Sequence, residues 1–552
     1  MKHFLLFFTL LLVLHAKEIK DDTLKKMIGH MLLVGFNESS ITKDSQIVKD
    51  INEYELGGVI LFDKFYKNKN KNKNISSPEQ LAKLTSDLKK FSNQALFVSV
   101  DQEGGKVARL KPKYGFEEIE SALEVSQMNE YAIVDMYDKQ STMLESAGIT
   151  MNFAPVVDLA VNPKNKVIVG LERSFGEKPE EVSKFAKVVI QSQKKHNIIS
   201  VLKHFPGHGS SLEDSHKGFV DVSETWSPEE LEPYEILINE KQVDVIMTAH
   251  VFNEYIDDMY PATLSYSFNT ELLRQEMGFE GVIISDDLQM GAISKHFTLD
   301  KRVSLAINAG VDILLFGNQL ENVSVKKLVN SILTQVKSGV IPIKRIKESN
   351  ARIDKLHTRY MIKQKPIVFT EKRKKLTREY IKSHYGLSVK NIEIIPKSIV
   401  LHWTAVMDFE KSFERLNAEL LFSDRADIAK ASALNVSAHF LVKRDGTIYQ
   451  LMPDNWMARH VIGLNYSSIG IENVGGEGNE KEDLTQAQLR ANIWLVKYLK
   501  TKYPSIKNVI GHHEYRDFEN SSLWLEKDAG YRTQKADPGV KFMNDVRSAV
   551  DE

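Results

Sequence analysis

From residue 20 to residue 360 the chain repeats one pattern: a short apolar run, a turn, then a stretch with helical periodicity. The apolar runs are MLLVGF (31–36), GGVILF (57–62), LFVSV (96–100), TMNFAPV (150–156), ISVLK (199–203), DVIMTA (244–249), GVIIS (281–285) and VDILLF (311–316). Amphipathic stretches at 79–92, 131–147, 179–195, 228–241, 268–276 and 300–309 lie between them. Runs this short, with little polar alternation, suit strands covered on both faces. Eight of them alternating with helices predict an α/β fold, a (β/α)8 TIM-type barrel over 20–360. A doubly wound open sheet has a similar period, but no glycine-rich dinucleotide fingerprint follows the first run. The repeat KNKNKNKN (67–74) after the second run predicts a mobile polar loop.

At 552 residues the chain has length for more than one core. Residues 361–395 turn basic and irregular, and read as a linker with one helix at 375–384. A second pattern fills 396–552. It comprises SIVLHWT (398–404), a hairpin about Asp445-Gly446 in SAHFLVKRDGTIYQLM (437–452), SSIGIENVG (467–475), a helix at 484–502 and NVIGHHEY (508–515). It predicts a smaller C-terminal α/β domain with a mixed sheet. Residues 1–16, MKHFLLFFTLLLVLHA, predict a Sec-type signal peptide. Their apolar run is shorter than the roughly 20 residues of a membrane span. The protein is therefore expected to be periplasmic or secreted, without an integral span once the signal is removed. The absence of cysteine excludes disulfides and a thiol nucleophile. A net charge of −1 gives no electrostatic reason for a nucleic-acid partner.

Barrel sites form where strands end. Asp101 follows the third run, Lys203 and His204 end the fifth, His250 follows the sixth and Asp286 the seventh. In KHFPGHGSSLEDSH (203–216), Pro206, Gly207 and Gly209 break regular structure, which predicts a loop over the barrel mouth. Asp214 and His216 stand two apart on it. An aspartate beside a histidine fixes its tautomer and makes it a usable acid and base near neutral pH. A metal in this loop is disfavoured by the fixed charge of Lys203 beside His204. Farther on, His402 in IVLHWTA, His512 in VIGHHEY and Asp537 in QKADPGV come from three separate elements. Two histidines and one carboxylate are a typical catalytic zinc set, with a fourth position left for water.

KHFPGHG with the later DSH, VDQEGG (100–105), RSFG (173–176), MTAH (247–250) and ISDDLQMGA (284–292) together resemble glycoside hydrolase family 3 over about 25–350. The likeness is to its bacterial β-N-acetylglucosaminidases. It implies that Asp286 is the nucleophile, that His216 is the acid/base and that Asp214 orients it. It further implies that Asp101, Arg109, Arg173, Lys203 and His204 hydrogen-bond the N-acetylglucosamine ring, and that Asp287 is structural. No cofactor is implied for the barrel.

HWTA, SAHFLVKRDGTIYQL, NYSSIGIE and GHHEY with KADPG resemble the zinc N-acetylmuramoyl-L-alanine amidases of the amidase_2 family, over about 375–548. These are related to a phage lysozyme and to the peptidoglycan recognition proteins. The resemblance implies Zn2+ on His402, His512 and Asp537, with His512 rather than His513 as ligand. Glu472 would be the catalytic base and Lys535 the oxyanion partner. His439 would be a structural hydrogen-bonder and His460 a substrate contact. Together the two resemblances imply a secreted bifunctional hydrolase of peptidoglycan or muropeptides, a retaining exo-β-N-acetylglucosaminidase joined to an amidase. A C-terminal module that binds peptidoglycan without cutting it is the alternative.

Overall fold

The structure is a computed structural model that describes residues 20–92, 96–212, 218 and 220–551. It divides into two compact units, which meet in sequence near residue 353.

The first unit is built on eight parallel strands. They are β1 (Leu32–Gly35), β2 (Gly58–Ile60), β5 (Phe97–Val100), β6 (Met151–Asn152), β7 (Ile199–Phe205), β9 (Val245–Thr248), β11 (Val282–Ile284) and β12 (Leu314–Phe316). Two further pairs lie outside that sheet: β3 (Lys64–Phe65) with β4 (Asn68–Asn72), and β8 (Val220–Asp221) with β10 (Val251–Phe252). The large sheet runs β11-β9-β7-β6-β5-β2-β1-β12. A parallel bridge from Ile284 to Ile313 brings its two edges together, so the sheet curls into the expected barrel. All eight strands are buried, which is why their sequences run apolar without alternation. β6 is short because Pro155 supplies no N–H; the line resumes as a bridge from Val156 to Lys203.

The helices follow the sequence period closely. Pro78–Phe91, Glu130–Ser146, Pro179–Lys195 and Leu299–Ala309 stand where amphipathic stretches were expected. Thr298 caps the last of these by accepting from the Lys301 N–H, and Gly310 at φ 117° ends it. The KNKNKNKN run differs from expectation. It is β4 and the foot of a β3–β4 hairpin, with Lys73 and Asn74 buried. Strict alternation gave the segment a strand period, and the tertiary setting used it.

The second unit holds a six-stranded mixed sheet. Its strands are β13 (Ile362–Gln364), β14 (Ser398–Trp403), β15 (Phe440–Val442), β16 (Ile448–Gln450), β17 (Ser468–Asn473) and β18 (Asn508–Gly511). The order is β13-β16-β15-β17-β14-β18, and only β15–β16 is antiparallel. That pair is the hairpin foreseen at Asp445-Gly446, with Gly446 at φ 88°. Residues 361–395 carry the edge strand β13 and the helix Glu371–Tyr380 of this unit. The sheet is covered on both faces. Ile399 and Leu401 pack with Leu495 and Met543 on one side, and Val400 packs with Tyr380 and Leu464 on the other. By the same alternation His402 shares the face of Val400.

Candidate functional site

In the barrel, the strand ends gather charge at one rim, around a cavity of about 510 Å3. The Lys203 ammonium is 2.9 Å from Asp101 Oδ1 and 2.6 Å from Glu103 Oε1, with only 2% of its side chain exposed. Arg109 reaches the other Asp101 oxygen at 3.1 Å. Arg173 forks onto Glu103, both bonds 2.7 Å long, and its second terminal nitrogen also lies 3.1 Å from His204 Nε2. His204 Nδ1 stands 2.7 Å from Asp158 Oδ2. A guanidinium only donates, so Nε2 accepts and the ring proton sits on Nδ1, facing Asp158. Burial alone would raise the Asp101 carboxyl, but Lys203 and Arg109 outweigh it and hold the group well below the usual carboxylate range.

Asp286 follows β11 and lines the same cavity as Asp101, Arg109, Arg173, Lys203 and His204. Its Oδ1 accepts the Asp287 N–H at 2.7 Å. Asp287 is a different group: burial, then the Asp286 charge, pushes its carboxyl up to about 7. Its carbonyl oxygen accepts from His250 Nε2 at 3.0 Å, so His250 holds the backbone that carries both aspartates. Asp214 and His216 lie outside the described residues.

Sequence reading missed Glu103 and Asp158. Both bear signals in hindsight: Glu103 sits two residues past Asp101, and Asp158 follows the exit of the fourth apolar run. Their partners, Arg173 and His204, are 70 and 46 residues away, so no local pattern pairs them.

In the second unit His402 is the next-to-last residue of β14, His512 follows β18, and Asp537 lies in the turn before the helix Val540–Asp551. All three are buried, and their ligand atoms converge. His402 Nδ1 is 3.0 Å from His512 Nδ1 and 3.2 Å from Asp537 Oδ2, and His512 Nδ1 is 3.0 Å from Asp537 Oδ2. Ligand atoms about 2.0–2.2 Å from a tetrahedral zinc stand roughly 3.3–3.6 Å apart. The trio is thus close to the size such an ion needs. Burial pushes the His512 ring down to about 4, so it is neutral at pH 7, the form a metal ligand takes.

The tautomer of His402 is set by a relay. Ser468 Oγ donates to the Leu464 carbonyl at 2.8 Å, so His460 Nε2 must donate to Ser468 Oγ at 3.2 Å. His460 Nδ1 is then bare and accepts from His402 Nε2 at 3.0 Å, which leaves His402 Nδ1 unprotonated toward the trio. His460, expected as a substrate contact, holds the His402 ring through Nδ1, is itself held by Ser468 through Nε2, and lines the cavity of this unit. His439 bonds the Trp456 carbonyl and the Gly470 N–H, a structural role as expected. His513 bonds the Asp537 carbonyl rather than its carboxylate, so His512 is the ring that faces the trio. Glu472 pairs in register with His402 across β14–β17, and it lines a cavity of about 370 Å3 with Lys535, His402, His512 and Asp537. Its Oε2 is buried without a hydrogen-bond partner among the described residues.

These features define a two-domain α/β protein with a barrel-rim site in one unit and a buried, convergent His–His–Asp trio in the other. The chain belongs to glycosyl hydrolase family 3: residues 23–356 match that family's N terminal domain. Residues 393–540 match the N-acetylmuramoyl-L-alanine amidase family. Beta-hexosaminidase A of Pseudoalteromonas piscicida is 30% identical over 386 residues, 61% of this chain and 61% of that protein. The chain thus spans about three-fifths of that relative. A beta-hexosaminidase of Alkalilimnicola ehrlichii is 34% identical over 276 residues, 49% of this chain and 75% of its own. A solved glycoside hydrolase family 3 beta-N-acetylglucosaminidase from Paenibacillus sp. strain FPU-7 superposes with a TM-score of 0.55 at 26% identity, over 88% of this chain and 84% of that one.

Proposed function

We propose that the chain is a secreted bifunctional peptidoglycan hydrolase. The barrel removes N-acetylglucosamine from N-acetylmuramic acid, and the second unit cuts the bond from the muramic lactyl group to L-alanine of the stem peptide. The observation that carries this reading is the presence, on one chain, of a rim cavity holding Asp286 among sugar-sized polar groups and a buried His–His–Asp trio. Export rests on residues 1–16, which lie outside the described residues.

In the barrel, an Asp286 oxygen attacks the anomeric carbon while His216 gives its proton to the leaving oxygen. This forms a glycosyl ester. His216 then takes a proton from water, which attacks the same carbon and frees Asp286 with net retention. Asp214 holds the His216 ring. Asp101, Lys203 and Arg109 bind sugar hydroxyls; their mutual ion pairs fix them before substrate arrives. Arg173 and His204 complete that set.

In the second unit His402, His512 and Asp537 would hold zinc. Bound there, zinc supplies Lewis acidity to the scissile carbonyl and to water. Glu472 takes the water proton and returns it to the leaving amine. The Lys535 ammonium faces the oxyanion as it forms.

A GlcNAc-MurNAc-peptide tests both assignments. Asp286→Ala lowers N-acetylglucosamine release by roughly three orders of magnitude or more and leaves peptide release intact. His402→Ala does the reverse. Release of both products by either variant at the wild-type rate overturns the reading.

A further inference from the structure

The run KNKNKNKN was unused by the reading above, yet it is folded and stands at the barrel mouth. β4 alternates, so Lys69 and Lys71 share one face of the hairpin and continue the line of Lys73. Lys73 is the buried end: its Nζ donates to the Asn318 carbonyl at 3.1 Å and lies 5.1 Å from the Phe62 ring centre. Lys71 Nζ lies 5.1 Å above Phe65, whose ring also lies 5.8 Å from Lys73 Nζ. Lys69, Tyr66 and Phe65 line the cavity that holds Asp286. The hairpin is pinned in place, since Gln319 accepts the Tyr66 N–H at 3.0 Å and donates to the Lys64 carbonyl at 3.0 Å.

Lys73, at the buried end, has the charges of Asp287 and Glu38 near it, whereas Lys69 and Lys71 lie farther along the ribbon. The nearby Asp63 is already taken by Lys111 at 2.9 Å. Among the described residues, no carboxylate pairs with Lys69 or Lys71. Like charges held on one rigid face repel each other unless an anion joins them. The position of that anion follows from the cavity: Lys69, Phe65 and Tyr66 line it together with Asp101, Lys203, Arg109 and Asp286, so the hairpin borders the space that a leaving group on Asp286's substrate would share.

We propose that the β3–β4 hairpin is a leaving-group subsite that selects saccharides carrying a carboxylate, with Lys69 and Lys71 as the selecting residues. The inference rests on the glycosidase reading of the barrel. The anion is either the free lactyl carboxylate of a muramic acid or a carboxylate of an attached peptide. Both offer the same chemistry to an ammonium.

The test uses the full chain and its Lys69→Gln/Lys71→Gln variant, both with EDTA present so that the second unit leaves the peptide substrate whole. Hydrolysis is measured on four substrates: 4-nitrophenyl β-N-acetylglucosaminide, chitobiose, GlcNAc-MurNAc, and GlcNAc-MurNAc-L-Ala-D-Glu. The reading is the ratio of kcat/KM for each charged substrate to that for chitobiose. The ratio falls roughly fivefold or more in the variant, through KM, and wild type loses the same advantage as salt rises. Lys69→Arg/Lys71→Arg restores the ratio, and Asn68→Ala/Asn70→Ala, on the opposite face, leaves it unchanged. A fall on GlcNAc-MurNAc alone assigns the lactyl group; a fall on the peptide substrate alone assigns the peptide. An unchanged ratio for both charged substrates, or equal losses on chitobiose, overturns the proposal. Failure of wild type to hydrolyse any of the four overturns instead the glycosidase reading beneath it.

Discussion

At the residue scale, the barrel rim is governed by buried charges that satisfy one another. Lys203 serves two carboxylates at once, Asp101 and Glu103. Lys203→Met leaves both with fewer counter-charges, and removing one partner of a buried pair costs about 3–5 kcal/mol. The barrel's denaturant midpoint should drop accordingly, and hydrolysis of nitrophenyl N-acetylglucosaminide should fall with it. Asp287 presents the opposite case. Burial and the neighbouring Asp286 raise its carboxyl to about 7, with Glu321 adding to the effect, while the Lys73 ammonium lies nearby. A group whose folded value is raised favours folding when protonated. That contribution is present in full below the unfolded value of about 4 and is lost as pH climbs to about 7. Asp287→Asn, which cannot ionise, should therefore gain stability relative to wild type as pH rises through that window and hold the gain above it. Chemical denaturation from pH 4 to pH 8 reads this directly; a difference that does not change with pH removes the argument.

At the element scale, strands set distances that side chains alone do not. Gly470 on β17 lies against His460: a Cβ there would stand 2.7 Å from the ring. Gly470→Ala thus pushes His460 away from His402 Nε2 and frees the ligand ring to turn. Loss of such a supporting bond costs about 10–100-fold in metal affinity. Competition with a chromophoric chelator measures it, and retention of full affinity would show that the relay through His460 does not matter. The hairpin at 64–72 carries the same lesson in the other direction. Its alternation is plain in the sequence, yet a polar repeat is equally typical of a loop. Contact with Gln319 and the rings of Phe62 and Phe65 decided the outcome.

At the scale of the whole molecule, each unit has its own core, so metal should act on one of them. With zinc at 100 times its dissociation constant, linkage adds about 2.7 kcal/mol to the unit that binds it. Calorimetry with zinc and with EDTA should move one unfolding transition and leave the other, while EDTA stops peptide release and spares N-acetylglucosamine release. Much of this architecture was legible beforehand. Eight apolar runs and their helices follow from local periodicity, which burial on both strand faces writes directly into neighbouring residues. Asp101, Lys203 and Asp286 were likewise visible as polar residues at strand ends, and His402, His512 and Asp537 as a donor set. The chain's own order could not say which of these touch. Lys203 meets Asp101 across 102 residues, Arg173 meets Glu103 across 70, and His402 meets Asp537 across 135. Such pairings depend on how the barrel curls and how the sheet orders its strands. The sequence by itself determined what kinds of element form and which chemistry they carry. The tertiary structure alone decided the partners, because contact between distant residues is a property of packing and not of spacing along the chain.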